Sequence, residues 1–130
     1  MSSASLSRAL LAASFLIFSS SSAVFAQDTP IYADPIVATP DVYKVLFEDA
    51  RMRVLEVTYR PGQQENWHGH PRYFVYVVEP GKLQVENDKG ELHDFDLKLG
   101  QNAVIDPVTK HRGKNAGDVP IRLIAVELKQ

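Results

Sequence analysis

Beyond about residue 41, hydrophobic and polar positions alternate with a period of two. Val42–Phe47 is β-branched and aromatic. Arg51–Tyr59 alternates, with Arg53, Leu55 and Val57 set against Val54, Glu56 and Thr58. Lys82–Glu86 turns Leu83 and Val85 to one side, and Leu92–Leu99 repeats the pattern through Phe95, Leu97 and Leu99. Asn102–Ile105 and Ile121–Leu128 complete the set. Side chains of a strand leave alternate faces, so this period predicts half-buried strands. Tyr73–Val78 is continuously apolar, which predicts a strand buried on both faces.

Turn chemistry separates these runs. Pro61-Gly62 fits the second and third positions of a type II turn, and Asn87-Asp88-Lys89-Gly90 fits a hairpin turn. Glu79-Pro80-Gly81, Gly100, Asp106-Pro107 and Asn115–Asp118 close the other runs. Eight or nine short strands with a turn about every ten residues, and no convincing amphipathic helix, predict an all-β sandwich, jelly roll or small barrel.

The front of the chain does not share the pattern. Residues 1–26 carry Arg8 as their only charge, then an apolar run from Ala9 to Phe18, a serine run and Val24-Phe25-Ala26. That is the layout of a secretory signal peptide, and the apolar run is too short to span a bilayer, which takes roughly 20 residues. The expectation is an exported protein, periplasmic or secreted, with no membrane association after cleavage. Residues 27–40 contain Pro30, Pro35 and Pro40, each fixing φ and removing a donor. An extended arm is predicted there, with neither helix nor central strand. Residues 41–130 form the predicted barrel domain.

Composition narrows the function. Removing residues 1–26 leaves 104 residues, with 16 acidic and 13 basic side chains interspersed. No basic stripe is present, so nucleic acid is not an expected partner. The chain has no cysteine, which excludes a disulfide framework and thiolate ligands.

His68 and His70 are two apart, just before the apolar strand. Two imidazoles on one face of an extended strand can converge on a metal ion; two surface histidines at a strand end are the plainer reading. The surrounding residues carry a resemblance. Gly62, five residues, His68-x-His70 and then Gly81 resemble the first motif of the cupin superfamily. Gly100, His111 and Asn115 resemble its second motif. The chain departs from the pattern at two places. Phe74 or Val75 stands where the first motif has a glutamate, and Asp106 and Val108 stand where the second has proline and glycine.

The resemblance implies a single cupin-type double-stranded β-helix, a jelly-roll barrel, with a divalent transition metal (Fe, Mn, Ni, Cu or Zn) held by His68, His70 and His111. It also implies a small-molecule ligand or substrate, an oxygenase or isomerase activity, and a homodimer paired through its sheets. A non-catalytic binding barrel, or a structural barrel with a vestigial site, is the alternative. Other residues singled out are Glu65, a fourth ligand or general base if it turns inward but more simply solvated, and Tyr73 and Tyr76 as hydrogen-bond donors to the pocket. Asn102 and Asp106 are candidate partners for the outer nitrogens of the histidines. Arg72 is expected to pair with Glu65 on the surface, Trp67 to pack in the core, and His93 to lie at the surface.

Overall fold

A computed structural model describes residues 33–130; the expected signal peptide and the start of the arm lie outside these residues. One helical turn, α1 (Pro35–Ala38), precedes nine strands: β1 (Tyr43–Glu48), β2 (Met52–Tyr59), β3 (His68–His70), β4 (Tyr73–Glu79), β5 (Gly81–Asn87), β6 (Leu92–Leu97), β7 (Asn102–Ile105), β8 (Val108–Asn115) and β9 (Ile121–Leu128). They form two antiparallel sheets, ordered β1-β2-β9-β4-β7 and β3-β8-β5-β6. The architecture is the jelly-roll sandwich that the strand pattern predicts.

The helical turn departs from the extended arm expected there. Proline is tolerated at the first position of a helix, where its missing N–H is not needed. Pro35 occupies that position, and Asp34 caps it by accepting the Ile36 amide at 2.9 Å. The Pro61-Gly62 turn forms as expected: the Gln63 amide donates to the Arg60 carbonyl at 3.0 Å, and Gly62 adopts φ +76°, which its missing Cβ permits.

The core lies between the sheets. Leu55, Val57 and Tyr59 on β2 face inward beside Ile121, Leu123 and Ala125 on β9 and Tyr73 and Val77 on β4. Leu55 and Ile121 are fully buried, and each such side chain stabilises the fold by roughly 1.5–3 kcal/mol. The outer face of β4 is different. Phe47, Val54, Val126, Phe74 and Val104 follow one another in register across all five strands of the larger sheet. Phe47 is 50% exposed and Val104 58%. Strand β4 is therefore buried on its inner face only within one chain, not on both faces as its continuous apolar run suggested. The apolar residues of its second face belong to this row.

Candidate metal centre

Strand β3 carries His68 and His70 on its inner face, 1% and 2% exposed. Strand β8 brings His111 directly opposite His68 in the antiparallel register. One ring nitrogen from each of the three lies within 4.8 Å of the others. The ring centroids are separated by 4.8 Å for His68 and His70, 4.8 Å for His68 and His111, and 5.2 Å for His70 and His111.

The hydrogen bonds of the outer nitrogens fix the tautomers. His68 Nδ1 lies 2.8 Å from the Asn66 carbonyl, an acceptor, so Nδ1 carries the proton and donates. His70 Nδ1 lies 2.7 Å from Glu127 Oε1 and donates likewise. Both Nε2 atoms are then lone-pair acceptors, and they face each other at 3.0 Å. The Tyr43 hydroxyl sits 3.1 Å from His68 Nε2, but its single proton goes to Glu65 in the shorter contact. His111 Nε2 is buried, with no hydrogen-bond partner among the described residues. Two facing acceptors without a proton between them, and a third buried ring nitrogen without a partner, are costly in a dry interior, and a bound cation removes the cost. The three imidazoles thus fit a transition metal, for which neutral histidine is a good ligand.

The surroundings favour the neutral forms of His111 and His68. Burial, then the neighbouring His70 and His68, push the His111 pKa down to about 3. His68 is also lowered, first by burial, although Glu65 opposes the shift. Burial and then the Glu65 carboxylate hold the Tyr43 phenol well above its usual range.

Two buried carboxylates stand beside the centre. Glu127, 2% exposed, accepts from His70 and from Arg53, whose Nε lies 2.7 Å from Glu127 Oε2. Arg53 in turn pairs with Asp34 at 2.9 Å. Burial would raise the Asp34 pKa; the hydrogen bonds from Arg53 and the Ile36 amide outweigh it and leave it lowered. Glu65, 3% exposed, accepts the Tyr43 hydroxyl and, at 2.5 Å, the Gly113 amide. Gly113 is required by crowding: a Cβ there would lie 2.8 Å from the Tyr59 hydroxyl and 2.9 Å from Glu65 Oε2.

A cavity of about 300 Å³ runs from this polar end between the sheets. His70, His111, Tyr43, Tyr59, Tyr73 and Glu65 line it, with aliphatic residues of β2, β4, β5 and β9 beyond them. Val75, at one of the two spacings where the motif has a glutamate, lines the cavity, while Phe74 belongs to the outer row.

The remaining sequence candidates fall as follows. Tyr73 faces the cavity and stacks near His70, with ring centroids 4.5 Å apart. Tyr76 is on the opposite face and 41% exposed, as strand alternation from Tyr73 at an odd spacing requires. Asn102 lines the cavity, but its amide bonds the Gly100 carbonyl and not a histidine. Asp106 has a side chain 91% exposed and faces Arg72 at 3.8 Å. Neither is a histidine partner; the Asn66 carbonyl and Glu127 fill that role. Arg72 does not meet Glu65, which is buried and not solvated. Trp67 is half-buried beneath the cationic groups of Lys110 and Arg112, at 4.8 Å and 4.5 Å. His93 is exposed. Asn115, fully buried, shapes its turn by donating to the Val119 carbonyl at 2.7 Å and accepting the Gly117 amide at 3.0 Å.

Sequence reasoning missed Tyr43, Arg53, Glu127 and Asp34. For Glu127 the signal was present. It continues the inward register of Ile121, Leu123 and Ala125, and a carboxylate at an inward strand position needs a partner.

Comparison with known proteins agrees with this geometry. The family model for the cupin domain matches residues 55–127. A cupin domain from Bordetella pertussis superposes with a TM-score of 0.64 at 24% identity, over 68% of this chain and 93% of that one. An RmlC-like cupin family protein with a double-stranded β-helix fold from Methanocaldococcus jannaschii gives 0.58 at 14% identity, over 81% and 86%. Among curated proteins, the chain is 42% identical over 67 residues to the polyketide synthase CurC of Streptomyces cyaneus, covering 50% of this chain and 41% of that protein. It is 37% identical over 67 residues to the protein SchB of Streptomyces halstedii, covering 50% and 46%. The aligned region is thus less than half the length of either curated relative. A strand sandwich with three inward histidines in register, matched to the family model over more than half its length, makes this chain a member of the cupin superfamily, a small cupin domain.

Proposed function

We propose that this chain is an exported small cupin that holds a divalent transition metal through His68, His70 and His111 and acts on a small organic molecule in the adjoining cavity. The observation that supports the metal most directly is the pair of Nε2 lone pairs 3.0 Å apart beside the unpartnered His111 Nε2. When bound, the metal supplies Lewis acidity, or redox chemistry if it is iron, manganese or copper. The chain's own residues do the rest. Glu127 and the Asn66 carbonyl orient the two β3 imidazoles. Glu65 fixes the Tyr43 hydroxyl against His68. The aliphatic walls exclude water, which strengthens every electrostatic interaction inside. Three neutral ligands leave the metal's full charge to be met by an anionic ligand or hydroxide.

The reaction is of the oxygenase or isomerase kind, and the name of the Streptomyces cyaneus relative, a polyketide synthase, is consistent with organic small-molecule chemistry. The alternative is capture of a ligand without turnover, which the missing motif glutamate at Val75 favours. Export rests on residues 1–26; intact mass of protein from the periplasmic or secreted fraction is expected to show a chain starting near Gln27. The outer row from Phe47 to Val104 supports a homodimer through the larger sheet, and light scattering is expected to give twice the chain mass. Metal binding is tested by thermal unfolding with added ions. An ion at a hundred times its Kd stabilises by roughly 2.7 kcal/mol. That gain is expected for the wild type and not for His70→Ala.

A further inference from the structure

The cavity also selects among ligands, an inference that rests on the metal reading above. We propose that the site takes an apolar organic monoanion carrying one or two rings, such as an aryl carboxylate, phenolate or enolate, with its oxygen end toward the histidines and its rings in the aliphatic channel.

Size sets the first limit. A space of about 300 Å³ holds roughly ten water volumes and lies at the small end of organic-ligand pockets. The distribution of polarity sets the second. Histidine, tyrosine and Glu65 gather at one end, whereas Val57, Val77, Leu83, Val85 and Leu123 form the middle. A polyhydroxylated ligand would bury several hydroxyls against these walls without partners, at roughly 1–3 kcal/mol each. Among the described residues no lysine or arginine lines the cavity, so a second negative charge on the ligand finds no counterion there.

Charge sets the third limit. Arg53 is shared between Glu127 and Asp34 and offers no free positive charge to a ligand. Both oxygens of Glu65 are engaged, one by the Tyr43 hydroxyl and one by the Gly113 amide. The metal's charge is then met by the oxygen end of the ligand, where a single negative charge finds its counterion. The entrance fits the same class. Strands β6 and β7 are the edges of their sheets and do not pair with each other. Phe95 on β6, 45% exposed, and Asn102 and Ala103 on β7 line the cavity there, and an aromatic side chain at the opening favours a ring beside it.

The test is isothermal titration of the whole protein after zinc loading, with zinc content measured on the same sample. Naphthoate is the apolar monoanion, gluconate the polyhydroxylated monoanion and succinate the dianion. Naphthoate is expected to bind at least about tenfold more tightly than either of the others, and to lose about tenfold in Phe95→Ala, a change at a half-exposed position. Stripping the zinc is expected to weaken naphthoate binding by at least about tenfold, and unchanged affinity without zinc overturns the placement of the oxygen end at the histidines. Full zinc content with gluconate or succinate binding as well as naphthoate overturns the ligand class and leaves the metal reading standing. Naphthoate affinity unchanged in Phe95→Ala places the rings elsewhere and also overturns it. Failure to take up zinc overturns the metal reading itself, and this proposal with it.

Discussion

His70 and His111 face the same point from neighbouring strands of the smaller sheet, and their surroundings have little in common. Behind His70 runs a line of alternating charge: Glu127 at 2.7 Å, then Arg53, then Asp34 at the cap of α1. Among the described residues no carboxylate pairs with His111, and its Nε2 has no hydrogen-bond partner. The first side is organised by the chain alone. It sets the tautomer of His70 and ties the site to the residues before β1. The second side leaves a buried polar atom unserved, a cost that proteins tolerate mainly where an outside group removes it. The difference separates what the fold supplies, an oriented imidazole, from what it leaves to a cation.

The largest effect that would break this contrast comes from Arg53. Arg53→Met leaves Glu127 buried without its counterion, and breaking a buried pair costs roughly 3–5 kcal/mol. Chemical denaturation of the metal-free protein is expected to show a loss of that order; a loss below about 1 kcal/mol would mean that the charge line does not hold the fold. Leu55→Ala, in the fully buried apolar core, is expected to cost roughly 2–5 kcal/mol. Measured metal affinity relative to stability should nevertheless stay near wild type, because Leu55 touches neither side of the contrast.

Glu127→Gln keeps the shape and removes the charge behind His70. Partners of this kind alter metal affinity by roughly 10–100-fold, so competition with a chelator is expected to show weakening in that range. The same substitution offers no comparable loss through His111. Val75→Glu is the sharpening change. It puts a carboxylate on the cavity wall at the position where the superfamily motif has one, and tighter metal binding is expected by the same competition assay.

The smallest effect concerns pH. His111 and His68 are depressed in the folded, metal-free protein, while in the unfolded chain both titrate near 6.5. Below that value the unfolded state binds more protons, so stability falls as pH drops from about 6.5 toward 3 and is level above it. Urea midpoints of the metal-free protein at pH 5 and pH 7.5 are expected to differ in that direction. In His111→Phe the difference should shrink.

The pattern of the chain made the fold legible because period-two alternation and turn residues act locally. Leu83, Val85 and Leu97 could be placed inward from their neighbours alone. The histidine triad was legible for a different reason, since two of its members are adjacent on one strand and the third lies in a recognisable second motif. The charge line was not. Asp34, Arg53 and Glu127 come from the arm, the second strand and the last strand, and the register of β2 on β9 that pairs Arg53 with Glu127 is a tertiary fact. Glu65 illustrates the same limit: a glutamate after a Pro-Gly turn looks solvated until Tyr43 and the Gly113 amide close over it. Tyr76 and Phe74 face outward because the apolar row on that side belongs to the sheet's outer surface, which a single run of apolar letters does not distinguish from a core.

Elemental analysis of the purified chain, in parallel with His111→Ala, tests the central claim most directly. The account predicts about one transition-metal ion per chain in the wild type and loss of most of it in the variant. A metal-free wild type, or a His111→Ala protein with undiminished metal content, would contradict it.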